Sequence, residues 1–513
     1  MSGTSPDSSP AQFSRFAPAA AWRFLREHAV WVTLLSLLLL IPCFWHTHIQ
    51  AGDLGSHIYN AWLAQLAGRQ QLPGVIVVRQ WSNVLFDLMV LQTASWFGFV
   101  AAEKIAVSVV VLVSFWGTFA FLACFSGRAP WLLTPLLGIL AYGYAFHMGF
   151  MNYCLSIGLG FLALAAAWQG RFGNWIAAAV FAALAFLAHP LGLALFVSVA
   201  FYAAAARALP KWPRLAIPLL AVASFLFLRR YFAAHEERIA SWRAESVWQL
   251  FGQDQMNVYG HRYFVLSWLA LLWGAFCVLA ALYDWIFRGR KPSRPLWLAL
   301  EFYLLAVVLT LCLPENFRTE FYAGWVGLLV SRLTLVTAVF GLLVLASLRL
   351  PRWSWRGAAV VAAVFFSFLY RDAGRLDRME SNARALAETL APGTRVVAVA
   401  NAPEDWRVPF IYHSIDRACV GHCFSYANYE ASSLQFRVRA LPGNRVVTTS
   451  VDQSDDMSSG DYRVGQADLP LTSIYQCGET DFTELCALPL REGQKTEDPE
   501  SEPEPQSPDQ PEN

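Results

Sequence analysis

The sequence predicts an α-helical polytopic membrane bundle of about eleven spans, with a small extracytoplasmic α/β domain at its C-terminal side. Three observations predict it. Hydrophobic residues fill 56% of 513 positions, more than a soluble chain of this size can hide beneath a polar surface. Long apolar runs recur from Val30 to Tyr370 between short connectors of Arg, Lys, Pro and Gly, the pattern of successive transmembrane helices. After Tyr370 the composition turns polar and short β-like runs begin. A net charge of +1 names no partner. No basic stripe beyond the loop clusters calls for nucleic acid.

Residues 1–28 form a cytoplasmic N-terminal segment, because Arg15, Arg23 and Arg26 precede the first apolar run and positive charge stays inside. That run, AVWVTLLSLLLLIPCFW, lacks a small-residue cleavage site and is expected to stay as an anchor. Residues 29–370 make up the transmembrane domain, with spans centred near Leu37, Leu112, Ile139, Gly160, Ala182, Leu195, Ala221, Leu272, Val307, Ala338 and Val364. The segment VLFDLMVLQTASWFGFV carries Asp87 and Gln92. Read as an interfacial helix, it leaves Arg128, Arg171, Arg207, Arg288 and Arg349 on the cytoplasmic side; read as a span, it reverses them all against the positive-inside bias.

This topology gathers the polar residues outside. The outer-face loop 46–104 holds His46, His48, Asp53, His57, Asn83, Asp87 and Glu103. His147, Asn152, His189 and Arg318 of PENFRTEFY come to the same face. The cytoplasmic loops carry no phosphate-binding glycine motif, so any chemistry lies outside and is not nucleotide-driven.

Residues 371–490 hold the runs RVVAVA and RVVTTS and are expected to form a mixed α/β domain. Its Cys419, Cys423, Cys477 and Cys486 are disulfide candidates, with connectivity open. His413 and His422 lie close to the first two cysteines, but the spacing fits no standard zinc knuckle. From 491 to 513 the chain is rich in Pro, Glu, Ser and Gln, an acidic tail expected to be disordered.

The stretch HTHIQAGDLGSHIYNAWLAQ concentrates the chemistry. Asp53 and His57 are four apart and share a helix face if the helix SHIYNAWLAQLAG, read as amphipathic, extends back to Asp53. Asp53 is a candidate general base, a candidate metal ligand with His57, or simply a helix cap. Arg332, about ten residues into its span, is costly in lipid, by ~2.5–3.5 kcal/mol on insertion scales, and is a candidate for gripping an anion. His189-Pro190 reads as a helix break that lines the cavity or caps the next helix. His147, Asn152, Asp87 and Arg318 are further candidates for substrate binding.

An anchor, an acid just after it, an amphipathic helix and a second interfacial helix ending in WFGFVAAEKI resemble the GT-C superfamily of membrane glycosyltransferases, which includes protein O-mannosyltransferases and the lipid A aminoarabinose transferase. The residues that carry the resemblance are GDLGSHIYNAWLA, WFGFVAAEKI, HMGFMNY and AHPLG. It implies transfer of a sugar from a polyprenyl-phosphate donor to an acceptor glycan, lipid or protein at the outer, periplasmic face of a bacterial inner membrane. It gives Asp53 the role of activating the acceptor or holding a divalent cation, Mg or Mn. Many members have two acids in this loop, whereas Asp53 stands with His57. The alternative is a non-catalytic transporter or envelope-assembly scaffold of the same architecture. A coupled transporter calls for several acids or broken helices at mid-membrane, and the spans contain few acids.

Overall fold

The computed structural model describes residues 24–496 except 25, 169–171, 236–239, 243, 290–294, 319–324, 434 and 479–480. The rest of the N-terminal segment and most of the acidic tail lie outside the described residues. The chain is mostly helical. Among the described residues five helices are long and apolar enough to cross a membrane: Phe99–Ser126, Pro190–Ala208, Gly260–Arg288, Leu329–Ser347 and Ser354–Thr389. Ala29–Phe44, Met151–Ala167, Gly173–Ala188 and Leu296–Cys312 are apolar but shorter.

The expected span near Ile139 is not one helix. It divides into Trp131–Leu133, Thr134–Ala141 and Tyr144–His147. Gly143 sits at the break, where an added Cβ would come within 2.8 Å of the Gln255 carbonyl. Gln255 Oε1 accepts from the Ala145 amide at 3.1 Å, so a side chain from a distant loop satisfies backbone freed by the break. Elsewhere the bundle closes tightly where small residues meet: a Cβ at Gly117 would lie 2.2 Å from the Gly158 carbonyl, and such approach is how apolar helices gain packing contacts in lipid.

Leu85–Phe97 is a separate helix of 13 residues. At 1.5 Å per residue that is about 20 Å, short of a ~30 Å hydrocarbon core. Gly98, at φ 79, divides it from Phe99–Ser126, a conformation glycine adopts without Cβ strain.

Two boundaries differ from the sequence reading. The helix Ser354–Thr389 runs unbroken through Tyr370, because an apolar face carrying Leu376, Met379, Ala383 and Ala387 stays buried past the end of the hydrophobic run. The polar C-terminal region therefore begins after Thr389. At the other end, Lys495 pairs with Arg463 in a β-bridge and the Thr496 amide donates to the Tyr462 carbonyl, so the ordered region continues past 491.

The C-terminal region contains a four-stranded sheet in the order Phe424–Ser425, Arg395–Val399, Thr472–Gln476, Leu485–Pro489. The first three run parallel and the last is antiparallel to its neighbour. Cys419 bonds Cys423, and Cys477 bonds Cys486. The remaining five cysteines are free, four of them buried.

This region does not stand apart from the bundle. The short strand Val75–Val77 pairs with Val438–Ala440. Arg417 reaches Glu103 at 2.9 Å and chelates Glu380 through two nitrogens. It also donates to the Ile49 carbonyl. Gln50 donates to Glu380 as well. Three helices and the loop after the first helix are thereby tied through one buried guanidinium.

Candidate functional site

The helix Leu54–Gly68 positions the site. The expectation of a one-sided, amphipathic helix is corrected: every residue from Leu54 to Ala61 is buried. The cover comes from the C-terminal region. Helix His413–Ala418 lies so close that a Cβ on Gly55 would fall 2.0 Å from the His413 carbonyl. Tyr59 Oη accepts from the Ser425 amide at 2.9 Å. Asn60 and Asn428 exchange side-chain hydrogen bonds.

Asp53 occupies the cap position of this helix but makes no side-chain capping bond. Its carboxylate is therefore not spent on the helix end. The backbone is held instead by the Met148 and His147 carbonyls, which accept from the amides of Asp53 and Gly52. His413 Nε2 lies 3.9 Å from Asp53 Oδ1. Burial raises the Asp53 carboxyl above its ordinary range, while His413, His57 and Arg332 pull it back only in part.

His57 is one turn on and faces a second carboxylate. Its Nδ1 is 2.8 Å from Asp87 Oδ1 and 3.9 Å from Glu430 Oε1. Asn152 completes the cradle: its amide donates to Asp87 Oδ2 at 2.8 Å, and its carbonyl accepts from the Phe86 amide at 2.8 Å. Burial alone would lower the His57 pKa, but Asp87 outweighs it and lifts the imidazolium to about 10. Burial raises and His57 lowers the Asp87 carboxyl, with a net shift downward. Burial pushes Glu430 up to about 7 against the opposing pull of His57.

Linkage gives these shifts a sign. The raised His57 pKa contributes stability that is complete below ~6.5 and is lost as pH rises through about 10. The depressed Asp87 pKa contributes stability above ~3.9 that is lost as pH falls through its lower folded value. Thermal stability of the wild type is expected to fall between neutral pH and about pH 10, whereas His57→Gln should flatten that limb. An unchanged alkaline limb in the variant would remove the ion pair from the account.

Arg332 lies nearer a helix end than the sequence indicated. The helix starts only at Leu329, because Glu315 takes the Leu329 amide through its carbonyl and the Ser331 hydroxyl through its carboxylate. Arg332 is thus in the first turn, where the helix dipole is positive. Its guanidinium stacks on Phe150, 4.2 Å from the ring centre, and its buried Nε has no hydrogen-bond partner. Tyr153 donates to the Arg332 carbonyl at 2.5 Å.

The other expected residues are more scattered in role. His189 caps the helix Pro190–Ala208, its Nδ1 accepting from Leu191 at 3.2 Å, with Tyr153 edge-on. His147 Nδ1 is tied to the Gln50 carbonyl and the Tyr259 hydroxyl, which makes it part of the frame that holds Asp53. His48 binds Asp377, and His46 stacks on Tyr370. Arg318 is in the strand Asn316–Arg318, and its side chain is outside the described residues.

Two residues were not read into this site from the sequence: His413, noted only for its closeness to Cys419 and Cys423, and Glu430. His413 and Glu430 lie hundreds of positions beyond Asp53 and meet it only through the packing of the C-terminal region. A weak signal existed for His413: Asp416 follows it three residues later, and the pair bonds at 2.7 Å. Glu430, alone in YANYEASS, carries none.

A divalent cation does not fit the expected pair. Mg and Mn favour several oxygen ligands, and the pair supplies one carboxylate and an imidazole whose Nδ1 is taken by Asp87. Among the described residues no group of three or more His, Cys, Asp or Glu converges as a metal site. Cys419 and Cys423 are consumed in a disulfide and cannot join His413 in a zinc site. Comparison with protein-family models, curated proteins and solved structures returns no match.

Proposed function

We propose that the chain is a membrane glycosyltransferase of GT-C type, moving a sugar from a polyprenyl-phosphate donor to an acceptor. The reading includes about eleven crossings, a cytoplasmic N-terminus and a periplasmic C-terminal region in a bacterial inner membrane. The observation that carries it is the uncapped Asp53 carboxylate, whose backbone packs on Gly149, together with Arg332 stacked on the adjoining Phe150 at the positive end of its helix. One group accepts a proton and the other stabilises an anion, which are the two demands of displacing a phosphate by a hydroxyl.

In this reading the acceptor O–H loses its proton to Asp53 as its oxygen attacks the anomeric carbon. The bond from that carbon to the phosphate oxygen breaks, and its electron pair leaves with the polyprenyl phosphate. Arg332 and the amides of its helix end receive that charge. His413, braced by Asp416, moderates the charge on Asp53. A raised carboxyl is a stronger base than a solvated one, so activity should fall on acidification through the Asp53 pKa.

The test uses purified full-length protein in nanodiscs with a panel of polyprenyl-phosphate sugars, with and without Mg²⁺ or Mn²⁺. Release of polyprenyl phosphate independent of added metal is expected. Unaltered transport of an intact lipid-linked sugar, with no release, would favour the transporter alternative.

A further inference from the structure

Two imidazoles meet carboxylates around the helix Leu54–Gly68, and they are held differently. His57 Nδ1 closes on Asp87 at 2.8 Å, the distance of a charge-assisted hydrogen bond. His413 Nε2 stops 3.9 Å short of Asp53 Oδ1. Neither that nitrogen nor the Asp53 carboxylate has a hydrogen bond among the described residues.

The far side of the His413 ring is fully engaged. Its Nδ1 bonds Asp416 Oδ2 at 2.7 Å, and the other Asp416 oxygen accepts from the Ser425 hydroxyl at 2.5 Å. Ser425 is tied to the site helix through its amide on Tyr59 Oη. His413, Asp416 and Ser425 are 3%, 5% and 3% exposed, and Tyr412 and Tyr429 pack on the imidazole with ring centres 4.3 and 5.1 Å away. A carboxylate so placed keeps a proton on Nδ1 and leaves Nε2 with a lone pair on the side of Asp53. Bracing a short helix needs only the Nδ1 bond; it gives no reason to strand Nε2 beside a carboxylate that has no bond of its own.

We propose that His413 stores the proton that Asp53 removes, so that the working base is the chain Asp53, His413, Asp416 rather than Asp53 alone. The source of the proton rests on the glycosyltransferase reading; its sharing between Asp53 and His413 does not. The acceptor O–H breaks as an O–H bond forms on Asp53, whose side chain keeps 19% of its surface open. That bond breaks in turn as the Nε2 lone pair takes the proton, the gap closing as such contacts do when a site fills. Asp416 balances the imidazolium, and the proton passes to water when the products leave. His413 and Asp416 act through Asp53 and are positioning residues.

Asp53 and His413 then titrate as one unit, and the rate needs its proton-free form. The last proton leaves such a pair at higher pH than it leaves either group alone. The other ionisable neighbours of the ring are Glu430, Tyr412 and Tyr429. Arg417 on the same helix is turned to Glu103 and Glu380, and His57 to Asp87.

The test follows release of polyprenyl phosphate against pH by the full-length protein in nanodiscs. His413→Gln should slow release ~10²-fold and move the acidic limb to lower pH. Asp416→Asn should move it the same way by about one pH unit or more, and Asp416→Glu should recover part of both rate and limb. An unmoved limb in His413→Gln would reduce the residue to a brace, and a limb moved to higher pH would make it a fixed imidazolium that only keeps Asp53 ionised; either overturns the proposal. A second readout needs no turnover. Nitrogen-15 NMR of histidine-labelled protein follows the His413 imidazole, its signal identified by its loss in His413→Gln or, should that variant not fold, by its shift in Asp416→Asn. The neutral ring should carry its proton on Nδ1, and Asp53→Asn, which keeps the volume of the site, should move the titration to lower pH. A proton on Nε2 or an unmoved titration overturns the proposal. Turnover without this coupling sinks the relay alone, and coupling without turnover by the wild type sinks the transferase while leaving the shared proton.

Discussion

Arg417→Ala is expected to destabilise the protein by ~3–5 kcal/mol, the cost of leaving buried carboxylates without their counter-charge. Arg417 is 6% exposed and its two acidic partners, Glu103 and Glu380, are 3% and 1% exposed. Neither can turn to solvent. The guanidinium meets Glu380 with two nitrogens and Glu103 with a third contact, a fork that lysine cannot reproduce, so Arg417→Lys should recover only part of the loss. The triple change Arg417→Met, Glu103→Gln, Glu380→Gln should recover more, because it removes the buried charge along with its partner. Thermal denaturation in one detergent compares the four proteins. Equal stability of Arg417→Ala and wild type would show that the C-terminal region is not held by this cluster.

Asp53→Asn should lower turnover by ~10²–10⁴, the usual contribution of a general base, while donor binding changes little. Asparagine keeps the volume and the helix position, and no capping bond is lost because Asp53 makes none. A helix-capping role predicts the opposite pattern: activity largely kept and stability lowered by ~1 kcal/mol. Measuring rate and thermal stability on the same preparations separates the two. Asp53→Glu should retain part of the rate and move its acidic limb, since the same chemistry is displaced by one methylene.

The apolar runs made the helices legible because hydrophobic length is a direct physical requirement for crossing lipid. Their breaks were less so. The division of 131–147 depends on Gln255 reaching Ala145, a contact across 110 residues that leaves no local trace. The C-terminal boundary was misplaced for a related reason: the helix Ser354–Thr389 changes from an all-round apolar surface to a one-sided one near Tyr370, and composition registers the change while the backbone does not.

At the site, Asp53, His57, Asp87 and Asn152 were named from position and residue type, and His57, Asp87 and Asn152 meet through hydrogen bonds. Arg332 was named for its burial cost, yet its place in the first helical turn came from Glu315 and Asn316 anchoring the segment ahead of it. His413 and Glu430 could not be read because a charged residue in a polar region has no periodicity to mark it as buried. Only the docking of that region on the helix Leu54–Gly68 gives them a role.

The most direct measurement is release of polyprenyl phosphate from a labelled lipid-linked sugar by wild-type protein and Asp53→Asn, side by side in nanodiscs. Release by the wild type and its loss in the variant, with donor still bound by both, is the predicted result. Release at equal rates would contradict the role of Asp53, and binding without release by either protein would contradict the transferase itself.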